Sequence, residues 1–491
     1  MVSKRLVGSL AALGGIGGAL WWSKRATSDD GRGNAVAGAR SARAVELAKI
    51  GSRAGANYAA MSAKSAFASD EKRVELRERF ELETAEQVAE VLGNMKGAVM
   101  KLGQMASYLD QGLPEPVRDA LANLQSDAPP MSAALAAEVI VRELGGQPDE
   151  IFAVWNPVPI AAASIGQVHR ATTHDGQDVA VKIQYPGVDE AIRTDLDSSD
   201  LLFNVMGLIF PGMDPKPIVA ELRERLTEEL DYRNEAQNQT RFATAYEGHP
   251  TIHVPRVLER YSTGRVLTSE FVVGASFAEV ITWSQAERNL AAETLYRFAF
   301  GGIYRLGMFN GDPHPGNYLF APGGKITFLD FGLCKIFTPD EVAIFERLIR
   351  FMVYDNDMEA FARYSQEIGV LNDASRFSPE KIFAYFSHFY EFVLEDEEMA
   401  MTAEYASESI RRYFDLSGPH AEIMKSANVP SSMVIVQRIN LGLFALFADL
   451  RATGNWRRLA EEIWPFVGAP PSTPMGDAIA AWDAARATAS A

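Results

Sequence analysis

The segment from residue 310 to residue 332 constrains this chain more strongly than any other part of its sequence. Asp312 and Asn317 lie five positions apart in a loop rich in proline and glycine, and Asp330-Phe331-Gly332 begins thirteen positions after Asn317. The apolar runs between the two motifs predict a β-hairpin, so Asp330 is expected at the end of a strand. The sequence therefore predicts that an amide oxygen and a carboxylate meet near one loop, and such ligands suit Mg²⁺.

The spacing of Asp312 and Asn317 is that of the aspartate and asparagine in the catalytic loop of protein kinases, whose metal motif is Asp-Phe-Gly. In kinases the first aspartate orients the nucleophile, while the asparagine and the second aspartate hold Mg²⁺. We therefore predict a catalytic role for Asp312 and metal binding by Asn317 and Asp330. A proline-rich turn or a strand end could produce either motif alone, but the ordered pair is hard to obtain by chance.

A lysine in an apolar strand is the next candidate. Lys182 follows Val179-Ala180-Val181, in a strand where an unpaired ammonium would be costly to bury. Phosphate oxygens and a carboxylate would satisfy it, and Glu235, in a predicted helix over 221–246, matches the helix glutamate that pairs with the strand lysine of kinases. The alternative is an edge lysine that reaches solvent.

Two further segments are predicted to contact a nucleotide. The predicted strand over 265–273 runs into a segment like the kinase hinge, where the backbone of Glu270 and Val272 would contact adenine. Alanine replaces the expected glycine-rich loop over the phosphates, and alanine allows fewer backbone conformations than glycine. The residues predicted to cover the phosphates are Ala161, Ala162, Ala163, Ser164, Ile165, Gly166 and Gln167.

The order of predicted elements indicates an α+β protein: an atypical protein-kinase-like two-lobed fold with an N-terminal helical extension and a helical C-terminal lobe. Local predictions are a helix capped by Ser132, a hairpin over 168–183, a strand over 254–260 and a helix over 285–306. The predicted divisions are a basic leader at 1–40 with a candidate membrane-associating run at 6–22, a helical extension at 41–155, an N-lobe at 156–274, a helical C-lobe at 275–467, and a poorly ordered tail at 468–491.

Composition limits the partners. The net charge of −17 argues against a nucleic-acid partner, because neutralising phosphates needs clustered lysine and arginine. The first 60 residues nevertheless hold nine basic and three acidic side chains, which suggests an anionic membrane surface as a partner. The single cysteine, Cys334, excludes an intrachain disulfide and is consistent with a reducing cytosol.

The uncharged run at residues 6–22 leaves several interpretations open. It lacks the small-residue cleavage site of a signal peptide, and it is shorter and richer in glycine than a typical membrane span. A marginal span, an interfacial segment anchored by Trp21-Trp22, an ordinary buried helix and a disordered leader all fit. More basic residues follow the run than precede it, so a span would leave the body cytoplasmic.

Taken together, these motifs resemble the UbiB family, the aarF-domain-containing atypical kinase-like proteins. The resemblance covers roughly residues 90–340 and adds two motifs to those above. The matching elements, in order, are Lys101-Leu102-Gly103-Gln104, Ala161 to Gln167, Lys182, Glu229-Leu230-Asp231 with Glu235, Asp312 to Asn317, and Asp330.

The resemblance implies that the helix carrying Lys101 and Gln104 folds over the site where a kinase would bind its protein substrate, with Lys101 near Glu229. It would then favour ATP hydrolysis over protein phosphorylation, and Glu229 and Asp231 would belong to the nucleotide site. Spacing alone shows only that Lys101 and Gln104 share a helix face, which could equally be solvated. The family further implies a part in quinone or other isoprenoid-lipid metabolism at membranes.

We therefore expect an atypical kinase or ATPase of the UbiB type that uses ATP and Mg²⁺ and takes an isoprenoid lipid or quinone precursor as a partner. An ordinary phosphotransferase that acts on a small molecule or a protein is one alternative, but the Lys101 motif and the alanine segment argue against it. A non-catalytic lipid-binding scaffold switched by nucleotide is the other, and the complete set of polar residues at the site argues against that.

Overall fold

The computed structural model describes residues 131–163, 165–189, 227, 230–311, 313–371, 373–414, 420–426 and 431–490. The predictions for the leader and for most of the helical extension lie outside these residues. So do the predictions for five candidate site residues, namely Lys101, Gln104, Ser164, Glu229 and Asp312.

Short strands form the framework of the site. They are β1 (Val154–Trp155), β2 (Ala161–Ala163), β3 (Gly166–Thr172), β4 (Asp178–Gln184), β5 (Ile252–His253), β6 (Val266–Glu270), β7 (Met308–Asn310), β8 (Tyr318–Ala321), β9 (Lys325–Phe328), β10 (Cys334–Ile336), β11 (Met399–Ala400) and β12 (Thr453–Gly454).

Helices dominate the second half of the described chain. They are α1 (Ala133–Leu144), α2 (Pro148–Ile151), α3 (Tyr232–Ala245), α4 (Phe277–Val280), α5 (Gln285–Leu306), α6 (Pro339–Ile349), α7 (Met358–Glu367), α8 (Pro379–Ser387), α9 (Glu391–Leu394), α10 (Ala403–Phe414), α11 (Ala421–Ser426), α12 (Ser431–Asp449), α13 (Trp456–Ile463) and α14 (Pro474–Ser490). None of the helices within the described ranges is long and apolar enough to cross a membrane.

An antiparallel sheet builds the smaller lobe, in the strand order β1-β3-β4-β6 with β2 added to β3. The hairpin of β3 and β4 confirms the prediction over 168–183, and its turn has Gly176 at φ 86°, a conformation that favours glycine. One face of this sheet packs on α1, where Ile140 and Val181 are fully buried in a shared core. The other face carries Lys182.

The larger lobe is built around α5, which spans the residues predicted for it. Phe298 of α5 stacks on Phe328 of β9 with ring centroids 3.6 Å apart. This contact fixes the strand that leads into Asp330 against the central helix. The small sheet β5-β9-β8 contains the predicted hairpin of β8 and β9, with β5 parallel to β9.

Helix α1 confirms the capping prediction. The Ser132 hydroxyl accepts a hydrogen bond from the Leu135 backbone N–H, and Gly145 closes the helix at φ 83°. Serine suits an N-cap because its oxygen satisfies a backbone donor left free at a helix start, while glycine adopts the left-handed conformation at a helix end.

The predicted strand over 254–260 is wrong. Strand structure is confined to β5, and residues 259–261 form a 3-10 turn. Pro255 lacks a backbone donor for a ladder, and its carbonyl accepts a hydrogen bond from the Gln239 side chain at 2.7 Å. The Arg256 carbonyl accepts from the Glu270 backbone N–H, and the Leu258 backbone N–H donates to the Thr268 carbonyl. The segment therefore pairs with β6 only through an isolated bridge at Val257 and does not continue as a strand.

The prediction of a poorly ordered tail after residue 468 is also wrong, because α14 is a helix of 17 residues. It begins with Pro474 in the first turn, a position that proline favours, and continues through an alanine-rich sequence. Asp483 accepts two hydrogen bonds from the Arg305 guanidinium at 2.7 and 2.9 Å. The Trp482 indole N–H donates to the Glu247 carbonyl. The tail is therefore docked on α3 and α5.

Candidate functional site

Three elements bring Lys182, Glu235 and Asp330 together. Lys182 projects from β4, Glu235 lies in the first turn of α3, and Asp330 follows β9. The Lys182 ammonium donates to both oxygens of the Glu235 carboxylate, at 2.7 and 2.9 Å. It also lies 3.4 Å from an Asp330 oxygen. The pairing of Lys182 with Glu235 expected from the sequence is therefore present.

The charges of this cluster act strongly on one another because two of its members are buried. The Glu235 side chain is 5% exposed and that of Lys182 15%, whereas that of Asp330 is 26% exposed. Burial alone would lower the pKa of Lys182, but the opposing charges of Asp330 and Glu235 outweigh it and raise that pKa well above its usual value. Lys182 is therefore a fixed cation, and the Tyr232 ring packs 5.1 Å from its nitrogen.

The segment around Asp330 is held from several sides. Its carbonyl accepts from the Asn310 side chain at 2.8 Å, and its carboxylate accepts from the Gly332 backbone N–H at 2.9 Å. The Asn238 amide on α3 donates to the Phe331 carbonyl at 3.2 Å. Phe331 itself is fully buried, with its ring centroid 5.1 Å from that of Phe242. These contacts present the Asp330 carboxylate toward Lys182.

Asn317 lies beside the start of the Asp330 segment. It ends the 3-10 turn Pro315–Asn317, and its carbonyl accepts from the Leu329 backbone N–H at 3.0 Å. His314 accepts from the Gly316 backbone N–H through Nδ1, so it stabilises this turn. Asp312 itself is not described, but its neighbours Gly311 and Pro313 are buried.

The three alanines of this segment form strand β2, and Gly166 and Gln167 begin β3, with Ala163 opposite Gly166. A Cβ atom at Gly166 would lie 2.1 Å from the Ile183 carbonyl oxygen, so only glycine fits there. Ala161 and Ala162 are exposed, Ala163 is half-buried and Ile165 is buried.

The Gln167 side chain does not reach the cleft, contrary to a direct role in nucleotide binding. Val168 is directly opposite Lys182, so Gln167 faces the other side of the sheet. There the Gln167 side-chain oxygen Oε1 accepts a hydrogen bond from the Met131 backbone N–H at 2.9 Å, and the side-chain nitrogen Nε2 contacts His169. Successive side chains of a strand face opposite sides of the sheet, so Gln167 and its neighbour Val168 cannot both face the cleft. This alternation could have been used at the level of the sequence.

Asp231 has a structural task at the start of α3. It is the N-cap residue, and its carboxylate accepts from the Arg233 backbone N–H at 3.0 Å. The structure thus does not join Asp231 to Lys182, although it anchors the helix that carries Glu235.

Glu270 and Val272 lie where β6 leaves the sheet for the larger lobe. The segment crosses to β8, where Ala275 and Phe320 exchange backbone hydrogen bonds of 2.8 and 2.9 Å. The Glu270 carboxylate lies 3.5 Å from His253 Nε2. The segment links β6 to α4, and adenine binding by the backbone of Glu270 and Val272 stays a prediction.

The chemistry of the site fits Mg²⁺ and a phosphate group. Lys182 faces two carboxylates, so the described cluster carries a net negative charge that a divalent cation would neutralise. The Asp330 carboxylate, the more exposed of the two, and the Asn317 amide offer hard oxygen donors. The described residues contain no set of three or more His, Cys, Asp or Glu side chains arranged for a metal.

Three residues that hold the site are not among those predicted from the sequence motifs. Asn310 and Asn238 fix the backbone of Asp330 and Phe331, and Tyr232 packs against Lys182. Asn238 lies three positions after Glu235 on one helix, so it shares a face with it, and that spacing was a usable signal. The role of Tyr232 depends on a contact across two elements, which sequence spacing does not show.

The two lobes and the lysine–glutamate pair define a kinase-like fold. The sequence model of the ABC1 atypical kinase-like domain matches residues 123–365, a range that contains every described residue of the site. A solved structure from Mycobacterium tuberculosis, Rv3197 in complex with erythromycin, is 32% identical with a TM-score of 0.58. The alignment covers 82% of this chain and all of the mycobacterial one. The chain therefore belongs to the ABC1, or aarF-domain, atypical kinase-like family, which confirms the resemblance seen in its motifs.

Named relatives are similar over part of their length. The atypical kinase COQ8, mitochondrial, of Saccharomyces cerevisiae is 31% identical over 58% of this chain and 57% of its own length. The AarF domain-containing kinase 1 of Drosophila melanogaster is 30% identical over 59% of this chain and 57% of its own. An aarF domain-containing protein kinase of Arabidopsis thaliana, named as chloroplastic, is 33% identical over 62% of this chain and 43% of its own. The chain thus matches about half the length of these relatives.

Proposed function

We propose that this protein binds ATP and Mg²⁺ in the cleft around Lys182 and acts as an atypical kinase or ATPase. The observation that carries the proposal is the position of the Lys182 ammonium between the Glu235 and Asp330 carboxylates. A buried lysine held in this way is a preorganised partner for phosphate oxygens. Membership of the atypical kinase-like family supports the same activity.

Each residue of the site has a distinct task in this proposal. Lys182 binds phosphate oxygens, and Glu235 keeps its ammonium in place. Asp330 and Asn317 hold Mg²⁺, which supplies charge neutralisation at the phosphates when bound. Asp312 orients the attacking group, whether a water or an acceptor hydroxyl.

The remaining assignments concern access and binding of the base. The backbone of Glu270 and Val272 receives adenine, and the hairpin at Ala161 to Gly166 covers the phosphates. Lys101, Gln104 and Glu229 restrict the acceptor and thereby favour hydrolysis. These tasks follow from the family resemblance and from the position of the hinge segment.

Supporting quinone or other isoprenoid-lipid metabolism is the biological role that we propose. Its basis is the family of the chain and its similarity to relatives such as the mitochondrial atypical kinase COQ8. The basic excess of the first 60 residues supports attachment of a cytoplasmic body to an anionic membrane surface.

Asp330→Asn tests the metal assignment. We expect Mg·ATP to raise the thermal midpoint of the parent, whereas the variant should respond to Mg·ATP no more than to ATP alone, because the amide carries no charge for the ion. Asp340→Asn, at an exposed aspartate in the first turn of α6, is the matched control and should respond like the parent. Equal stabilisation of Asp330→Asn and parent would remove Asp330 from the metal site.

The lipid role needs a separate measurement. ATP hydrolysis is compared in buffer, with neutral liposomes, and with anionic liposomes that contain a quinone-precursor mimic. We expect the anionic, mimic-containing liposomes to raise the rate. A rate that stays the same in all three conditions would contradict the lipid role and leave the nucleotide assignment standing.

A further inference from the structure

A cavity inside the helical lobe lies apart from the nucleotide cleft. Its volume is about 220 Å³, and it is enclosed chiefly by α5, α6, α7, α8 and α12. Aromatic rings supply most of its wall, among them Tyr304, Phe361 and Trp464. None of the residues of the cleft around Lys182 contributes to this wall. The cavity is therefore a candidate binding site independent of the proposed nucleotide chemistry.

Two polar residues of this largely aromatic wall carry a buried atom without a partner in the described part of the chain. Ser365 on α7 is fully buried, and Asn440 on α12 is 7% exposed. Among the residues that the structure describes, neither the Ser365 hydroxyl nor the Asn440 amide oxygen has a hydrogen-bond partner. Leaving such groups unsatisfied inside a protein costs free energy, so native proteins usually supply a partner. Both atoms belong to residues of the cavity wall, which indicates that the partner enters the cavity.

The described part of the cavity wall is also electrically neutral. Its described lining contains no lysine, arginine, aspartate or glutamate. Burial raises the pKa of Tyr304 and of Tyr390, so both remain neutral phenols at physiological pH. A charged ligand would lose its hydration here without gaining an opposite charge, so an uncharged occupant is required.

We propose that this cavity binds a small uncharged alcohol, with an apolar hydrocarbon skeleton and one hydroxyl group. An amide oxygen only accepts hydrogen bonds, so the occupant must donate to Asn440, whereas the Ser365 hydroxyl can donate to the occupant or accept from it. A dry apolar cavity of about 150 Å³ holds one benzene molecule, so this larger one accommodates a substituted six-membered ring or a short branched chain. The occupant is thus an apolar alcohol, and the surrounding rings pack against its hydrocarbon part.

Ordered water is the competing occupant, since water also donates and accepts hydrogen bonds. The two differ in their response to a hydrocarbon skeleton. Water would satisfy Ser365 and Asn440 without creating affinity for any apolar probe, whereas an alcohol site should saturate with one.

Cyclohexanol and methylcyclohexane are suitable probes because they have nearly the same shape, and only the first can hydrogen-bond. Their dissociation constants are measured by ligand-observed NMR on the full chain without nucleotide. We expect saturable binding of cyclohexanol to the parent. Asn440→Leu keeps the side-chain size and should weaken the binding of cyclohexanol by about tenfold, the effect of one lost hydrogen bond. The same variant should bind methylcyclohexane as tightly as the parent or more tightly.

Further variants locate the site. Ser365→Ala should weaken cyclohexanol in the same selective way, whereas Ser387→Ala should not, because its hydroxyl bonds the Ala384 carbonyl away from the cavity. Val436→Phe fills the cavity and should reduce binding of both probes. Absence of saturable binding to the parent would overturn the proposal. So would unchanged cyclohexanol affinity in both Asn440→Leu and Ser365→Ala, which would identify water as the occupant.

Discussion

At the scale of single residues, the site depends on one buried cation between two carboxylates. Lys182 balances one of the two negative charges of Glu235 and Asp330, and each oxygen of Glu235 contacts its ammonium. An isolated buried charge is costly, so removing one partner should do more damage than removing both. This non-additivity separates an interacting pair from two residues that are merely close.

A double-mutant cycle with Lys182→Met and Glu235→Gln measures the pair. Lys182→Met alone leaves the 5%-exposed Glu235 carboxylate without its cation and should lower the free energy of unfolding by about 3 kcal/mol. The double variant should recover at least about 1 kcal/mol of that loss, because no uncompensated charge then remains at Glu235. Urea unfolding gives all four free energies.

The exposed pair of Arg170 and Asp178 in the same sheet provides the control cycle, since both side chains are more than 40% exposed. Surface pairs are screened by solvent, so Arg170→Met and Asp178→Asn should show no coupling beyond error. Additive losses for Lys182 and Glu235 as well would mean that the buried pair does not interact energetically.

At the scale of elements, the C-terminal helix packs against a half-buried histidine. The Trp482 ring lies 4.6 Å from the His249 ring, and His249 Nδ1 accepts from the backbone N–H groups of Thr251 and Ile252. Burial, with the nearby Arg305 charge, lowers the pKa of His249 from 6.5 to about 3. Protonation of Nδ1 would turn this acceptor into a donor that faces two backbone N–H groups, so the folded state requires the neutral ring.

Stability should therefore fall with acidification through this histidine. Between pH 6.5 and about 3 the unfolded chain binds a proton that folded His249 does not, so the free energy of unfolding rises with pH in that window. We expect a loss of about 1–2 kcal/mol from pH 7 to pH 5.

His249→Asn, which keeps an acceptor but does not titrate, should reduce the loss measured by urea unfolding at each pH. His174→Asn, at an exposed histidine, should not. Burial also lowers the pKa of His388, to about 4. His388 should therefore account for part of the loss of stability at low pH that remains in His249→Asn. An identical pH dependence in the parent and His249→Asn would exclude this role for His249.

Local signals predicted the elements that depend on neighbours in sequence. Helix α1 has its serine cap and glycine end, and α5 is long and bounded by Ser284 and Gly307, so capping and length sufficed. The predicted strand over 254–260 failed because Pro255 interrupts it. The tail was misassigned because its docking depends on Arg305, which lies 178 positions from Asp483.

The candidate site divides in the same way. The spacing of the motifs predicted Lys182, Glu235 and Asp330 as site residues, and the structure places their side chains together. Spacing did not reveal Asn310 or Tyr232, whose importance comes from contacts between distant elements. It also included Gln167, whose neighbours in sequence form the hairpin but whose own side chain faces α1.

At the scale of the whole molecule, the segment after β6 joins a small sheet to a helical lobe across the cleft. Gly274 lets the chain pass close to β8, because a Cβ atom there would lie 2.9 Å from the Leu319 side chain. Lys182 comes from the first lobe and Asp330 from the second. A nucleotide bound between them would therefore contact both lobes.

The central claim is that this cleft binds Mg·ATP through Lys182, and calorimetric titration of ATP into the full chain, with and without Mg²⁺, tests it most directly. We predict one saturable, Mg²⁺-dependent site in the parent. Lys182→Met should weaken it by at least about tenfold, the loss of one charge-assisted contact, whereas Lys325→Met at an exposed lysine of β9 should not. A dissociation constant for Lys182→Met equal to that of the parent would contradict the claim.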